Sequence, residues 1–129
     1  MYPTQTYTPQ QSTQIKQCEL LAQQAINLSA EAAMLEWSGV AIQSNKPDVE
    51  KEYVLQAITE EVKGMAQIRQ YTLDLAQIAM DAIVQQDQLS YDSAVKTMTE
   101  DIQTSQDRYK VVCALYDRLI SRPNQIISA

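Results

Sequence analysis

The sequence predicts an all-α protein, an up-down-up bundle of three long amphipathic helices that is completed by oligomerisation. Apolar residues recur at spacings of three and four along most of the chain, which is the period of an amphipathic helix. Only two Gly and four Pro occur among 129 residues, so few positions are available for turns. A sandwich or barrel with many turns is therefore disfavoured.

The first predicted helix follows a polar N-terminal arm at residues 1–8 and opens the single helical-bundle domain at residues 9–122. Thr8-Pro9-Gln10-Gln11 has the pattern of a capping box with Pro at the first helical position. A heptad seam follows, in which small residues alternate with large ones and allow a neighbouring helix to approach closely. Its small members are Cys18, Ala25, Ala32 and Gly39, and its large members are Leu21, Leu28, Leu35 and Ile42.

The second predicted helix begins after the turn at Ser44-Asn45-Lys46-Pro47, because the residue before a proline avoids the helical conformation. Acidic residues follow in the first turn, where the helix dipole favours negative charge, and the apolar period continues to about Gln86. Gly64 lies inside this helix and costs roughly 1 kcal/mol relative to Ala. It therefore marks either a close contact or a bend.

The third predicted helix follows a turn at residues 86–89, with Ser90 as its N-cap. Its seam alternates spacings of four and three without a slip: Tyr91, Val95, Met98, Ile102, Ser105, Tyr109, Val112, Tyr116 and Leu119. Arg122-Pro123 ends the domain, and residues 123–129 form a C-terminal tail with no assigned structure. Short connections make successive helices antiparallel, as in an up-and-down bundle.

Composition argues against several classes of function. A net charge of −6 repels the phosphate backbone, so no nucleic-acid partner is expected. No apolar segment is long enough for a membrane span, and the N-terminus has no signal-peptide pattern. Two cysteines in such a chain favour a cytoplasmic location, while export by a signal-less secretion route stays open.

Catalytic equipment is scarce in this sequence. The chain has no histidine, which removes His-based acid–base catalysis and the usual zinc sites. Cys18 and Cys113 are too few for a thiolate zinc site, and in the predicted bundle they lie roughly 20 Å apart along the axis. No glycine-rich phosphate loop can be written around Gly39 or Gly64. We therefore expect no enzymatic activity, cofactor, metal or small-molecule substrate.

Trp37 is the most informative residue for interaction, because it lies opposite the leucine seam of the first helix. On the same side lie Ile26, Ala30, Ala33, Met34, Val40 and Ala41. An apolar back face around a tryptophan means that the helix is covered on two sides. Two interpretations stay open: bundle neighbours cover both sides, or one side is an intermolecular interface.

A second apolar surface is predicted on the second helix, between residues 75 and 84. This run should lie beside the polar starts of helices one and three, so it carries more apolar surface than its own chain covers. Leu75, Ile78 and Ala82 are its candidate interaction residues, and they join Ile26, Ala33, Met34, Trp37 and Val40 of the first helix. Because the two surfaces lie on opposite sides, we expect more than two subunits.

Two short motifs are similar to segments of known secreted proteins. Trp37-Ser38-Gly39 is similar to the Trp-x-Gly of helical-hairpin proteins exported by the type VII route, where that motif lies in the hairpin turn. Asn45-Lys46-Pro47-Asp48 resembles the interhelical turn of type III secretion needle subunits. Here the predicted turn lies beyond the Trp-x-Gly and a third helix follows, so no family is assigned.

Two classes of function remain. The first is a non-enzymatic structural or assembly protein that self-associates through helix packing into a homo-oligomer or filament. The second is a small acidic adaptor, or a secretion-type chaperone, that binds a helical segment of a partner protein. The mass of the protein in solution distinguishes them, since a self-assembling chain needs no partner to cover its apolar surface.

Overall fold

The computed structural model describes residues 6–121, and this part of the chain consists of three helices without a strand. The helices are α1 (Pro9–Asn45), α2 (Val49–Gln85) and α3 (Gln88–Ile120), and each one packs against both others. This confirms the all-α three-helix bundle. The predicted tail at 123–129 and the first five residues of the predicted arm lie outside the described residues.

Contacts at the two ends of the bundle establish the up-down-up arrangement. At one end the Gln11 amide donates to the Ile83 carbonyl (3.1 Å), and the Tyr91 hydroxyl donates to the Gln14 carbonyl (3.4 Å). At the other end Lys51 Nζ donates to the Ser121 carbonyl (2.6 Å). The start of α1 therefore lies beside the end of α2 and the start of α3.

Hydrogen bonds from local side chains determine where α1 and α2 begin. Thr8 Oγ1 accepts from the Gln11 backbone N–H (3.1 Å), and Gln11 Oε1 accepts from the Thr8 N–H (2.9 Å). This confirms the predicted capping box, with Pro9 at the first helical position. Asp48 caps α2 by accepting from the Glu50 N–H (3.0 Å), which satisfies a backbone donor that has no partner inside the helix.

The start of α3 differs from the prediction. Asp87, not Ser90, is the N-cap, and both the backbone N–H (3.1 Å) and the hydroxyl (2.6 Å) of Ser90 donate to its carboxylate. Gln86 adopts a left-handed conformation (φ 58°) that ends α2 abruptly. The connection therefore needs only two residues, and α3 begins at Gln88, earlier than predicted.

The core is formed by three groups of buried side chains that follow one another along the bundle. The first lies where α1, α2 and α3 meet at the start of α1, the second lies in the middle, and the third fills the far half. Their buried members are, in that order, Cys18, Ala79, Ala82, Ile83, Tyr91 and Ala94; Leu21, Ala25, Met98 and Ile102; and Ala32, Leu55, Ile58, Val62, Met65, Val112 and Leu119. Most residues of the predicted seams of α1 and α3 belong to these groups or pack against them.

Both glycines lie at close helix contacts. A Cβ atom on Gly39 would lie 2.7 Å from Leu119 Cδ2 and 3.1 Å from Leu55 Cδ1. A Cβ atom on Gly64 would meet the guanidinium of Arg108, which pairs with Glu61 at 3.3 Å. Gly64 therefore marks a close contact, which was one of its two predicted roles.

A polar contact between α2 and α3 interrupts the apolar core. Thr72 is fully buried, and its hydroxyl donates to the Ile68 carbonyl (3.0 Å) and lies 3.5 Å from Asp101 Oδ2. Partial burial raises the pKa of Asp101, the Thr72 hydroxyl acts in the opposite direction, and the charge of Glu100 raises it further. The ionised Asp101 carboxylate therefore lowers the stability of the folded state.

The two glycines yield a matched pair of predictions. Gly39→Ala should lower the free energy of unfolding by about 1 kcal/mol, because the buried Leu119 side chain has no space to move and overpacking outweighs the gain in helix propensity. Gly64→Ala should leave stability unchanged or raise it by up to about 1 kcal/mol, because the partly exposed Arg108 side chain can swing away. Urea unfolding followed by circular dichroism measures both, and equal effects would contradict the contacts described.

Asp101→Asn should raise the melting temperature at pH 7. A raised carboxyl pKa means that the folded state binds the proton more tightly than the unfolded state, so stability is lost as pH rises through the interval above the ordinary value of 3.8. The gain from Asn should therefore shrink as pH falls below that value. Asp107→Asn, on an exposed part of the same helix, is the control, and a gain of equal size there would argue against the buried contact.

Candidate interaction surface on the outer face of helix 1

The outward side of α1 carries large apolar side chains that α2 and α3 leave partly or largely exposed. Trp37 is 73% exposed and Met34 is 70% exposed, while Ile26 and Val40 are each 38% exposed. We call this surface the outer face of α1, and it comprises Ile26, Ala30, Ala33, Met34, Trp37, Val40 and Ala41. The interpretation in which bundle neighbours cover both sides of α1 therefore does not hold for the single chain.

Helix α1 carries far fewer charged residues than the other two helices. Helices α2 and α3 each contain nine charged residues, whereas α1 contains only four, Lys16, Glu19, Glu31 and Glu36. None of the four belongs to the outer face. An exposed helix side in a soluble bundle normally carries charges, so the side of α1 that turns away from the bundle lacks the usual mark of a solvated surface.

Polar contacts along one edge of the outer face join α1 to α3. The Ser38 and Tyr116 hydroxyls lie 2.8 Å apart and share a hydrogen bond. Burial, together with Cys113 and Glu31, raises the pKa of Tyr109 to about 12, so this phenol stays protonated at neutral pH. The Ser38 and Tyr116 hydroxyls therefore have their partner within the chain.

The other residues predicted from the sequence lie in different surroundings. Ala33 is half-buried and packs against the core, so only part of it belongs to the surface. Leu75 is half-buried and also packs against the core. Ala82 is only 4% exposed and lies within the group around Cys18, so it is not available to a partner. Ile78 is 52% exposed.

The apolar run at 75–84 of α2 is largely covered by its own chain, which corrects the prediction of a surplus there. The starts of α1 and α3 are polar in composition, yet their few apolar residues, including Ile15, Cys18 and Tyr91, point at this run. Only Ile78 and Val84 stay about half exposed. The surplus apolar surface at 75–84 is therefore smaller than predicted.

A shallow groove of about 410 Å³ lies between α2 and the start of α3. Its lining is Leu75, Ile78, Leu89, Ser90, Ser93, Ala94 and Thr97. Leu89 is 81% exposed and was missed by the sequence analysis, which assigned it to a turn. Its position becomes clear once Asp87 is recognised as the helix cap, because Leu89 then lies in the first turn of α3.

The described residues do not assemble a metal site or a membrane-spanning segment. Within residues 6–121, no three His, Cys, Asp or Glu side chains come together as possible metal ligands. None of the helices in this range has an apolar stretch of the length that a membrane crossing requires. Both cysteines are free, and burial raises the pKa of the Cys18 thiol, with the charge of Glu19 acting in the same direction. Its reactive thiolate is therefore disfavoured.

Comparison with known proteins leaves the outer face of α1 as the main guide to function. Neither protein-family models, nor curated proteins, nor solved structures gave a match to this chain. The functional assignment therefore depends on the apolar character and the exposure of the outer face of α1.

Exposure of Trp37 predicts a small effect on the stability of the monomer. Trp37→Ala should change the free energy of unfolding by less than about 0.5 kcal/mol, because the side chain leaves few contacts behind. Leu119→Ala, at a fully buried position, should lower it by about 2–5 kcal/mol. Urea titrations followed by circular dichroism at high dilution compare the two. Similar losses in both variants would mean that Trp37 is part of the core.

Proposed function

We propose that this protein is a non-enzymatic assembly subunit that self-associates by packing the outer face of α1 against another copy. The observation that carries the proposal is a helix side that is apolar from Ile26 to Ala41 and contains a tryptophan that is 73% exposed. Large exposed apolar patches on soluble proteins mark interaction sites, and tryptophan is strongly enriched among the residues that dominate binding energy. The absence of histidine supports the non-enzymatic part of the proposal.

The size of the surface suits a small interface. Ile26, Met34, Trp37 and Val40 together expose on the order of 400 Å² of side-chain surface, judged from their exposed fractions. A standard specific interface buries about 800 Å² on each partner. The alanines and neutral polar residues that flank the four side chains supply the remaining area, as the polar rim does in other interfaces.

Electrostatics favours this face over the rest of the molecule for contact between two copies. Each chain has a net charge of −6, so two copies repel one another in most orientations. The seven residues of the outer face of α1 are all apolar, so the centre of a contact between two such faces contains no charged side chain. Added salt screens the remaining repulsion and should strengthen the association.

A second candidate function is an acidic adaptor, or secretion-type chaperone, that binds a helical segment of another protein. The observation in its favour is the groove between α2 and α3, with Ile78 and Leu89 exposed along it. An amphipathic helix binds such grooves through apolar residues spaced by three and four. This function requires no self-association, so a chain that stays monomeric at high concentration favours it over the first.

Sedimentation equilibrium at micromolar concentration tests the assembly proposal. The natural chain should show a mass that rises with concentration, and Trp37→Ala should weaken the association constant by about tenfold or more. Tyr53→Ala is the matched control, because Tyr53 is an aromatic residue of similar exposure (70%) on α2, beside Glu50 and Glu52. Its association constant should stay within about twofold of the natural value.

Two results would contradict the proposal. A single monomeric species at all concentrations would remove self-association altogether. An equal loss of association in both variants would assign the contact to some surface other than the outer face of α1.

A further inference from the structure

We infer that two copies pair through α1 in an antiparallel arrangement, with a two-fold axis at the height of residue 35 and Trp37 of each copy packed on Ala33 of the other. This inference rests on the proposed self-association and specifies its geometry. It follows from the spacing and the sizes of the residues on the outer face of α1.

The spacing makes the outer face a second seam along α1. Ile26, Ala30, Ala33, Trp37, Val40 and Ser44 follow one another at alternating intervals of four and three. Heptad spacing of this kind keeps one strip of side chains directed at a partner helix over its whole length. The strip is about 27 Å long at 1.5 Å per residue, which is enough for several layers of contact.

The sizes of these residues favour the antiparallel direction. Around an axis at residue 35, Trp37 lies opposite Ala33 of the second copy and Val40 lies opposite Ala30. Ile26 then lies opposite Ser44, so each large residue of the seam meets a small one, while Met34 lies at the edge of the seam. Alternation of large and small residues across a helix contact fills space at the density of a protein interior.

A parallel pairing in register packs the same residues poorly. Each side chain then faces its own copy, so the two Trp37 rings compete for one position while Ala30 and Ala33 face alanines across a gap. Both overpacking and unfilled space destabilise a contact. The antiparallel pair avoids both, because it places the indole ring over the methyl groups of alanine.

The two-fold arrangement also limits the assembly. A two-fold contact uses the same surface on both copies, so the outer face of each α1 is fully occupied once two chains have met. The expected product is therefore a closed dimer and not a filament.

Spin labels at the two ends of the seam test the direction of pairing. Asn27→Cys and Asn45→Cys introduce single exposed labelling sites beside the seam, in a Cys113→Ala background, and Cys18 stays unlabelled because it is 1% exposed. In the antiparallel dimer, labels at residue 45 should lie about 30 Å apart along the axis and labels at residue 27 about 24 Å apart. Pulsed dipolar EPR measures both distances.

A mixture of the two singly labelled proteins provides the complementary measurement. Residue 27 of one copy lies near residue 45 of the other in the antiparallel dimer, so the mixture should show broadening of the continuous-wave spectrum from labels about 10–15 Å apart. The parallel dimer reverses all three results, with close labels in each homogeneous sample and about 27 Å along the axis in the mixed pair.

The outcomes separate this inference from the proposed function. The parallel pattern overturns the antiparallel geometry and leaves self-association through α1 in place. A sample that sediments as a dimer but has no dipolar coupling at either site overturns both the geometry and the use of α1. A sample that sediments as a monomer overturns the proposed function as well. Circular dichroism of each labelled variant checks that the helices are retained.

Discussion

The close approach of α1 to its two neighbours is the constraint on which the rest of the structure depends. Small residues recur at every seventh position of α1, and Cys18, Ala25, Ala32 and Gly39 are all buried. At Gly39 the side chains of Leu55 and Leu119 leave no room even for a methyl group. The bundle therefore uses the small residues of α1, together with Leu21, Leu28 and Leu35, for its own packing, and the large residues of the outer face take little part in it.

The packing of α1 within the bundle has a direct consequence for its outer face. Helices α2 and α3 carry nine charged residues each, and the large apolar side chains that stay exposed on them, such as Tyr53 and Leu89, lie among these charges. In α1 apolar residues occupy both sides and only four charges occur. The free energy of burying Trp37 and Met34 is therefore not used in folding the single chain. It remains available for association, which is the physical basis of the proposed assembly function.

The polar side chains of the bundle form hydrogen bonds with nearby groups that would otherwise lack a partner. Asp48 and Asp87 accept hydrogen bonds at the starts of α2 and α3, and the buried Gln43 amide donates to the Asp48 carbonyl (2.6 Å) and to Glu52 (3.1 Å). Thr72 and Asp101 meet between α2 and α3 at the cost of a partly desolvated carboxylate. None of these contacts involves the outer face of α1, so internal packing and the candidate interaction surface are separate.

The sequence by itself determined the helices, because helical period, capping residues and scarce turn residues are local properties. It located the capping box at Thr8, the turn before Pro47 and the seams that fill the core. It also identified Trp37 as a residue opposite the buried seam, because the position of a residue around a helix follows from its spacing to the seam residues. Only the tertiary structure decided what covers each side. The exposure of Trp37, the burial of Ala82 and the contact of Gly64 with Arg108 depend on which side chains of other helices reach the same height, and spacing along one helix carries no such information.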